Sequence, residues 1–126
     1  MKRGLSHEIL VTGGTTFVSR YTAEYFIKQG HNVFVLNRGS KTQSDGVHFI
    51  KGDRHALGDL LSLYKFDAVI DVTAYTGDDV LDLLDGLRDF GLYILISSSA
   101  VYLEALPNLS AKITPAVIIF TGVHTE

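Results

Sequence analysis

The stretch Val11-Thr12-Gly13-Gly14-Thr15-Thr16-Phe17-Val18-Ser19-Arg20 concentrates residue types suited to holding an anion. An apolar run ends at Thr12, two glycines follow, and a helical pattern begins near Thr16. Free N–H groups at such a helix start point beyond the strand end, where a phosphate fits. Gly13 permits the tight bend, and Ser19 is small enough for helix and strand to pack closely. Thr16 stands where such turns usually carry glycine. Its branched side chain diverts the backbone, while its hydroxyl offers a donor. Two readings stand: a phosphate-binding loop with substitutions, and an ordinary strand-to-helix turn. A polar pair, Asn37-Arg38, closes the next apolar run 24 positions after Gly13. That is close to where a dinucleotide fold places the group that reads the adenosine ribose. An ordinary loop cation is the plainer reading of Arg38.

Other chemistries find little support. With no cysteine there are no disulfides, thiolate ligands or cysteine nucleophiles. His7, His31, His48, His55 and His124 show no close ligand spacing, so no metal site is expected. Neither a Gly-x-Ser-x-Gly elbow nor a Walker lysine occurs. A formal net charge of -3 gives no overall attraction to nucleic acid or anionic membrane. The start, MKRGLSHE, lacks an apolar signal core, and no apolar run approaches the ~20 residues of a membrane span. The expectation is a soluble, cytoplasmic protein with no membrane partner.

The elements that must position these residues follow from the pattern. EILVT (8–12), NVFVL (32–36), VHFI (47–50), AVIDV (68–72) and YILIS (93–97) read as strands. Most are almost continuously apolar, as in parallel strands covered on both faces. Phe17, Val18, Tyr21 and Tyr25 recur at helical spacing between Thr16 and Gln29, ahead of Gly30. In TGDDVLDLLDGLRDFG, Val80, Leu83, Leu84, Leu87 and Phe90 form one stripe, with Asp78, Asp79, Asp82, Asp85 and Asp89 on a solvated face. A shorter helix is expected across Ala56 to Tyr64. Strand and helix alternate, which predicts one α/β domain over residues 1–126 with a Rossmann-like parallel sheet and helices on both faces. After Tyr102 the pattern breaks. The tail holds Pro107, Pro115 and one further strand-like run, AVIIF.

The motifs ILVTGGTTFVSR, VLNRGS, KGD, AVIDVTAY and ISSSAVY, in this order, resemble the amino-terminal half of an extended short-chain dehydrogenase/reductase of the NAD-dependent epimerase/dehydratase family. The resemblance covers about residues 7–102, leaving a divergent tail over 103–126. GGTTFV with NRG resembles an atypical branch of sugar-epimerase-like proteins and chloroplast stem-loop-binding proteins. It implies strand order 3-2-1-4-5, with Gly13, Thr16, Phe17 and Val18 on the pyrophosphate turn and Asn37 and Arg38 at the adenosine-phosphate end. It also implies that Asp53 and Arg54 hold adenine, that Thr73, Ala74 and Tyr75 line the cofactor ribose, that Ser97 is a further cofactor-binding residue, and that Ser98 is catalytic. The plainer readings are that Asp53 is a turn-former and that the serines satisfy backbone groups at a strand end.

The family's chemistry uses a Tyr-x-x-x-Lys helix downstream of the serine segment, and this sequence contains no such pair. The resemblance thus implies a truncated chain lacking the sixth strand, the catalytic helix and the substrate-binding portion. The expected function is NAD(P) binding, with NADP the cofactor and NAD the alternative. A nucleotide sugar or alcohol is the expected substrate of a full-length form. The competing readings are a non-catalytic dinucleotide-binding or sensing module and, through the stem-loop relatives, RNA binding, against which the acidic balance argues. An open edge at the fifth strand predicts a homo-oligomer.

Overall fold

A computed structural model of the chain describes residues 6–15, 17–97 and 116–121. Six strands form one sheet in the order β3-β2-β1-β4-β5-β6, and every neighbouring pair is parallel. They are β1 (Glu8–Thr12), β2 (Asn32–Asn37), β3 (His48–Lys51), β4 (Lys65–Asp71), β5 (Asp89–Ser97) and β6 (Ala116–Thr121), with helices α1 (Phe17–Lys28) and α2 (Gly77–Gly86). The order 3-2-1-4-5 stands as expected, and β1 lies inside the sheet. The sheet does not stop at β5, however. AVIIF supplies a sixth strand, in register from Leu92↔Ala116 to Ser97↔Thr121. A β-branched run meets an edge whose backbone groups need partners, so the β5 edge is paired within the chain.

Alternation along the strands sends side chains to two apolar layers. Ile9, Val11, Val33, Val35 and Ile70 pack with Ala23, Phe26 and Ile27 of α1. Leu10, Leu36, Val69, Tyr93 and Leu95 pack with Val80, Leu83 and Leu84 of α2 and with Leu57 and Leu61. Helices therefore cover both faces, as parallel strands require.

Three local details depart from or add to the sequence reading. First, Ala56 to Tyr64 is not a helix. A single 3-10 turn runs Arg54–Ala56, capped by Asp53, and turns follow through Gly58 at φ +53 while Leu57 and Leu61 reach the core. Second, α2 ends at Gly86, so Phe90 belongs to β5 rather than to the helical stripe. Third, Phe17, Val18, Tyr21 and Tyr25 are exposed, and α1 buries Ser19 and Ala23 instead. Small residues let the helix sit close to β1 and β2, so the residues that mark the helical repeat are not those that dock it.

The turn between β1 and α1 needs both of its glycines. Gly13 has φ +84 and Gly14 φ +87. A Cβ on Gly14 would stand 2.6 Å from Val35 Cγ1 and 2.9 Å from Val35 Cβ, inside the packed layer. Gly14→Ala combines left-handed strain with overpacking, and it is expected to cost about 2–4 kcal/mol in chemical denaturation. A loss below about 0.5 kcal/mol, the scale of a surface substitution, would show that the turn relaxes freely.

Candidate functional site

A cleft of about 470 Å³ opens at the carboxyl ends of β1, β2 and β4. Its floor is Thr12 and Gly13. One wall is Asn37, Arg38, Ser40 and Lys41, and the other is Asp53, Arg54, His55, Thr73, Tyr75 and Asp79. This is where an open α/β sheet binds ligands.

The floor is held by its own backbone. Gly13 N–H donates to the Leu36 carbonyl at 2.8 Å, and Asn37 Nδ2 donates to the Gly13 carbonyl at 2.6 Å. Asn37 exchanges further bonds with the Gln43 side chain at 3.0 and 3.2 Å, and its Oδ1 accepts from Gly39 N–H at 2.8 Å. Asn37 thus locks the end of β2 to the glycine turn. A Cβ on Gly13 would lie 2.9 Å from Thr73 Cγ2 and 3.1 Å from Ser19 Oγ, so the turn presents bare backbone. No acidic residue stands in the first turn of α1, and Arg38 and Lys41 line the adjoining wall. Backbone amides, a helix start and two cations together fit the anionic part of a dinucleotide.

Beneath the opposite wall lies a buried ionic cluster. Asp71 is fully buried at the end of β4. Its carboxylate accepts from Arg54 Nη1 at 3.0 Å and Nη2 at 2.7 Å, from Thr12 Oγ1 at 3.0 Å and from Tyr93 Oη at 2.6 Å. Thr12 Oγ1 accepts in turn from Val72 N–H at 2.8 Å and Thr73 N–H at 3.2 Å. Burial alone would pull the Arg54 pKa down, but the Asp71 carboxylate holds it above the usual value. Burial pushes the Tyr93 phenol far up, reinforced by the Asp71 charge. Both groups therefore keep their protons at every physiological pH.

At the mouth of the same wall, His55 lies between two carboxylates. Nδ1 is 2.6 Å from Asp82 Oδ2 and Nε2 is 3.1 Å from Asp79 Oδ1. The Asp82 contact, helped by the charges of Asp79, Asp82 and Asp53, raises the His55 pKa. Asp79 also caps α2. Its Oδ2 accepts from Tyr75 and Thr76 N–H at 2.7 and 3.0 Å, while Thr76 Oγ1 accepts from Asp79 N–H. Burial opposes its charge, but these bonds and the Arg54 and His55 charges hold its pKa below the usual value. Asp79 and Asp82 thus bind partners rather than forming a purely solvated face.

The structure brings Gly13, Asn37, Arg38, Asp53, Arg54, Thr73 and Tyr75 together around the cleft. Ala74 is buried in the layer beneath. Phe17 is 90% exposed and Val18 53%, and neither lines the cleft. Ser97 ends β5, and Thr16 and Ser98 lie outside the described residues. Arg54 points inward to Asp71, and the Asp53 carboxylate accepts from His55 N–H at 2.9 Å. Sequence reasoning missed Asp71, Tyr93, Ser40, Lys41 and His55. The signal for Asp71 was present: a carboxylate inside the apolar run AVIDV must be paired if buried. Among the described residues, no group of three or more histidines and carboxylates is placed to hold a metal ion, and no helix is long and apolar enough to cross a membrane.

Comparison with known proteins gives the same frame. A family model described as the NAD dependent epimerase/dehydratase family matches residues 9–88. The chloroplast stem-loop binding protein of 41 kDa b of Arabidopsis thaliana is 29% identical over 116 residues, covering 78% of this chain and 31% of that protein. Among solved structures, an epimerase from Methanothermobacter thermautotrophicus superposes with TM-score 0.60 at 22% identity, over 74% of this chain and 35% of the other. The Bordetella bronchiseptica enzyme WbmG, solved in complex with NAD, superposes with TM-score 0.57 at 17% identity, over 77% and 39%. The chain spans about a third of the length of these proteins, and the structural likeness is one of fold.

The His55 contacts generate a pH dependence. The folded pKa lies above the ordinary 6.5, so their stabilisation is complete below 6.5 and is lost as pH rises through the folded value. The lowered pKa of Asp79 acts oppositely, with stability present above the usual carboxylate value and lost as pH falls through the folded one. Melting temperature scanned from about pH 5 to 9 should therefore fall on the alkaline side of a mildly acid plateau. His55→Gln should remove that alkaline fall. An unchanged alkaline limb in the variant would count against the assignment.

Proposed function

The chain belongs to the NAD dependent epimerase/dehydratase family, and from that premise we propose that it binds a nicotinamide dinucleotide in the cleft beside Gly13. Its fold is that family's NAD(P)-binding domain. The observation that carries the proposal is the bare Gly13 turn, which Asn37 holds at the cleft floor between Arg38 and Lys41 and the Asp53 turn. In this reading the Gly13 turn and the start of α1 take the pyrophosphate. Asp53 accepts from the adenine amino group, and Thr73 and Tyr75 lie along the ribose. Thr16 and Ser97 belong to the same proposed set.

The 2′-phosphorylated cofactor is the proposed preference. The position where a carboxylate would bind ribose hydroxyls holds Asn37, whose amide is occupied by Gly13 and Gln43. Arg38 and Lys41 form no ion pair among the described residues and line the same wall. They are available for a charge-assisted contact with a phosphate. Isothermal calorimetry should give tighter binding of NADP than of NAD, with a preference that weakens in salt. Arg38→Ala should reduce NADP affinity by roughly tenfold, the loss of one charge-assisted contact. Tighter NAD binding, or an unaffected Arg38→Ala, would overturn the preference.

When bound, the nicotinamide accepts or returns hydride. The chain's own contribution is to hold the dinucleotide and, through the proposed catalytic Ser98, to orient a substrate hydroxyl, with a nucleotide sugar or alcohol as the proposed substrate of a longer form. A non-catalytic binding module is the second reading, since binding in the cleft beside Gly13 requires no catalytic pair. We also propose self-association, supported by the exposed Phe17, Val18, Tyr21 and Tyr25 of α1. The 126-residue chain alone is expected to bind cofactor without turnover, because the absent tyrosine base is typically worth ~10²–10⁴-fold. NAD(P)H absorbance over a panel of nucleotide sugars and alcohols tests this. Turnover that disappears in Ser98→Ala would reveal another base.

A further inference from the structure

Arg54 has no donor left for a ligand. Nη1 donates to Asp71 Oδ1 at 3.0 Å and Thr73 Oγ1 at 3.1 Å, and Nη2 donates to Asp71 Oδ2 at 2.7 Å. Nη2 and Nε both reach the Asp79 carbonyl, at 2.6 and 3.0 Å. All five N–H groups of the guanidinium are thereby engaged within the chain. Asp71 is equally saturated, with Thr12 and Tyr93 as its other donors. An apolar filling would close this space without desolvating two charges, and such replacements are often neutral or stabilising. What the ionic cluster adds is connection between segments. Thr12 ends β1 at the cleft floor, Arg54 belongs to the 53–55 turn, and Thr73 and Asp79 bound the segment carrying Tyr75. One carboxylate and one guanidinium tie all three together directly below the cleft.

We propose that Asp71 is a positioning residue for this cleft. It acts through the planar fork of Arg54 to set the separation between the floor and the walls at 53–55 and 73–79. Arg54 is accordingly a brace for Asp53 and Tyr75 rather than a ligand contact. The affinity consequence rests on the dinucleotide reading above, whereas the ordering of the two walls does not.

Arg54→Lys separates positioning from mere stability. Lysine keeps a cation beside Asp71, but a point charge cannot span both carboxylate oxygens, Thr73 Oγ1 and the Asp79 carbonyl. The variant should lose NADP affinity on the order of tenfold, the scale on which loss of an orienting partner acts. Amide hydrogen exchange should show faster exchange at His55, Tyr75 and Thr76, with Leu10 and Val69 in the sheet still protected. The double variant Asp71→Leu/Arg54→Met replaces both charges by apolar groups but leaves the Thr12 and Tyr93 hydroxyls without their acceptor. It should therefore lose some global stability and show the same loosening at the two walls, with the sheet amides still protected. If Arg54→Lys does not fold, the double variant decides by the same two measurements. If the wild-type chain binds neither NADP nor NAD, the functional reading falls and the exchange data alone decide this inference. Wild-type protection at His55, Tyr75 and Thr76 in the variants, with wild-type affinity where binding occurs, would overturn it.

Discussion

Burying the Asp71 carboxylate is the constraint on which the arrangement around the cleft depends. A charge taken out of water costs several kcal/mol even after relaxation, and about 3–5 kcal/mol is lost when one member of a buried pair is removed. The carboxylate must therefore be met on every side. Thr12, Arg54 and Tyr93 do this from three different parts of the chain. Each partner brings constraints of its own. The Thr12 hydroxyl donates to Asp71 while its oxygen accepts from Val72 and Thr73 N–H, which ties the chain leaving β4 to the end of β1. The Arg54 fork needs the Asp79 carbonyl, which fixes where α2 begins. The positions of the loops above the sheet thus follow from satisfying one group beneath it.

A second constraint runs through the other layer. The turn after β1 is left-handed at both glycines, and it brings the start of α1 so close to the strands that the small Ser19 and Ala23 are its fully buried residues, with Phe26 and Ile27 packing partly buried further along. The Asn37 side chain then closes the turn from β2 by donating to the Gly13 carbonyl. The same residues that make the turn tight keep bulky side chains away from its outer surface. Close helix packing and an accessible backbone at the cleft floor are one geometric solution.

The fold was legible because its signals are local and repeated. Five apolar runs with helical patterns between them specify a parallel sheet, and the glycine pair places the cleft at the end of β1. AVIIF was readable as a strand, but its place in the sheet was not, because pairing with β5 depends on an edge that sequence pattern does not display. The α1 aromatics show the limit of periodicity. A helix whose packing face must be small carries its large residues outward, so the repeat marks the helix without marking the face that docks. The helix expected over Ala56 to Tyr64 failed for a related reason: Leu57 and Leu61 are buried, but the chain reaches them through turns broken at Gly58. Gly13, Asn37 and Arg38 were found because spacing along one strand-helix-strand unit places them. Asp71, Tyr93 and His55 were missed because their partners lie 17 to 59 residues away, and single-chain spacing carries no such pairing.

The charge distribution in the cleft follows from these partnerships rather than from composition. Arg54 is the most deeply placed cation of the lining, yet its charge is balanced by Asp71 and its donors are spent. Arg38 and Lys41 stand on the β2 side without carboxylate partners among the described residues. Across from them are Asp53 and Asp79, the latter already accepting from two backbone amides and from His55. The net field therefore runs from a cationic wall at the end of β2 to an acceptor-rich wall at the 53–55 turn. Within the dinucleotide reading, a ligand with phosphates at one end and a hydrogen-bond-donating base at the other has one favourable orientation in such a field. A chain with net charge -3 can still offer a local anion site, because ion pairing inside the fold decides which cations remain free.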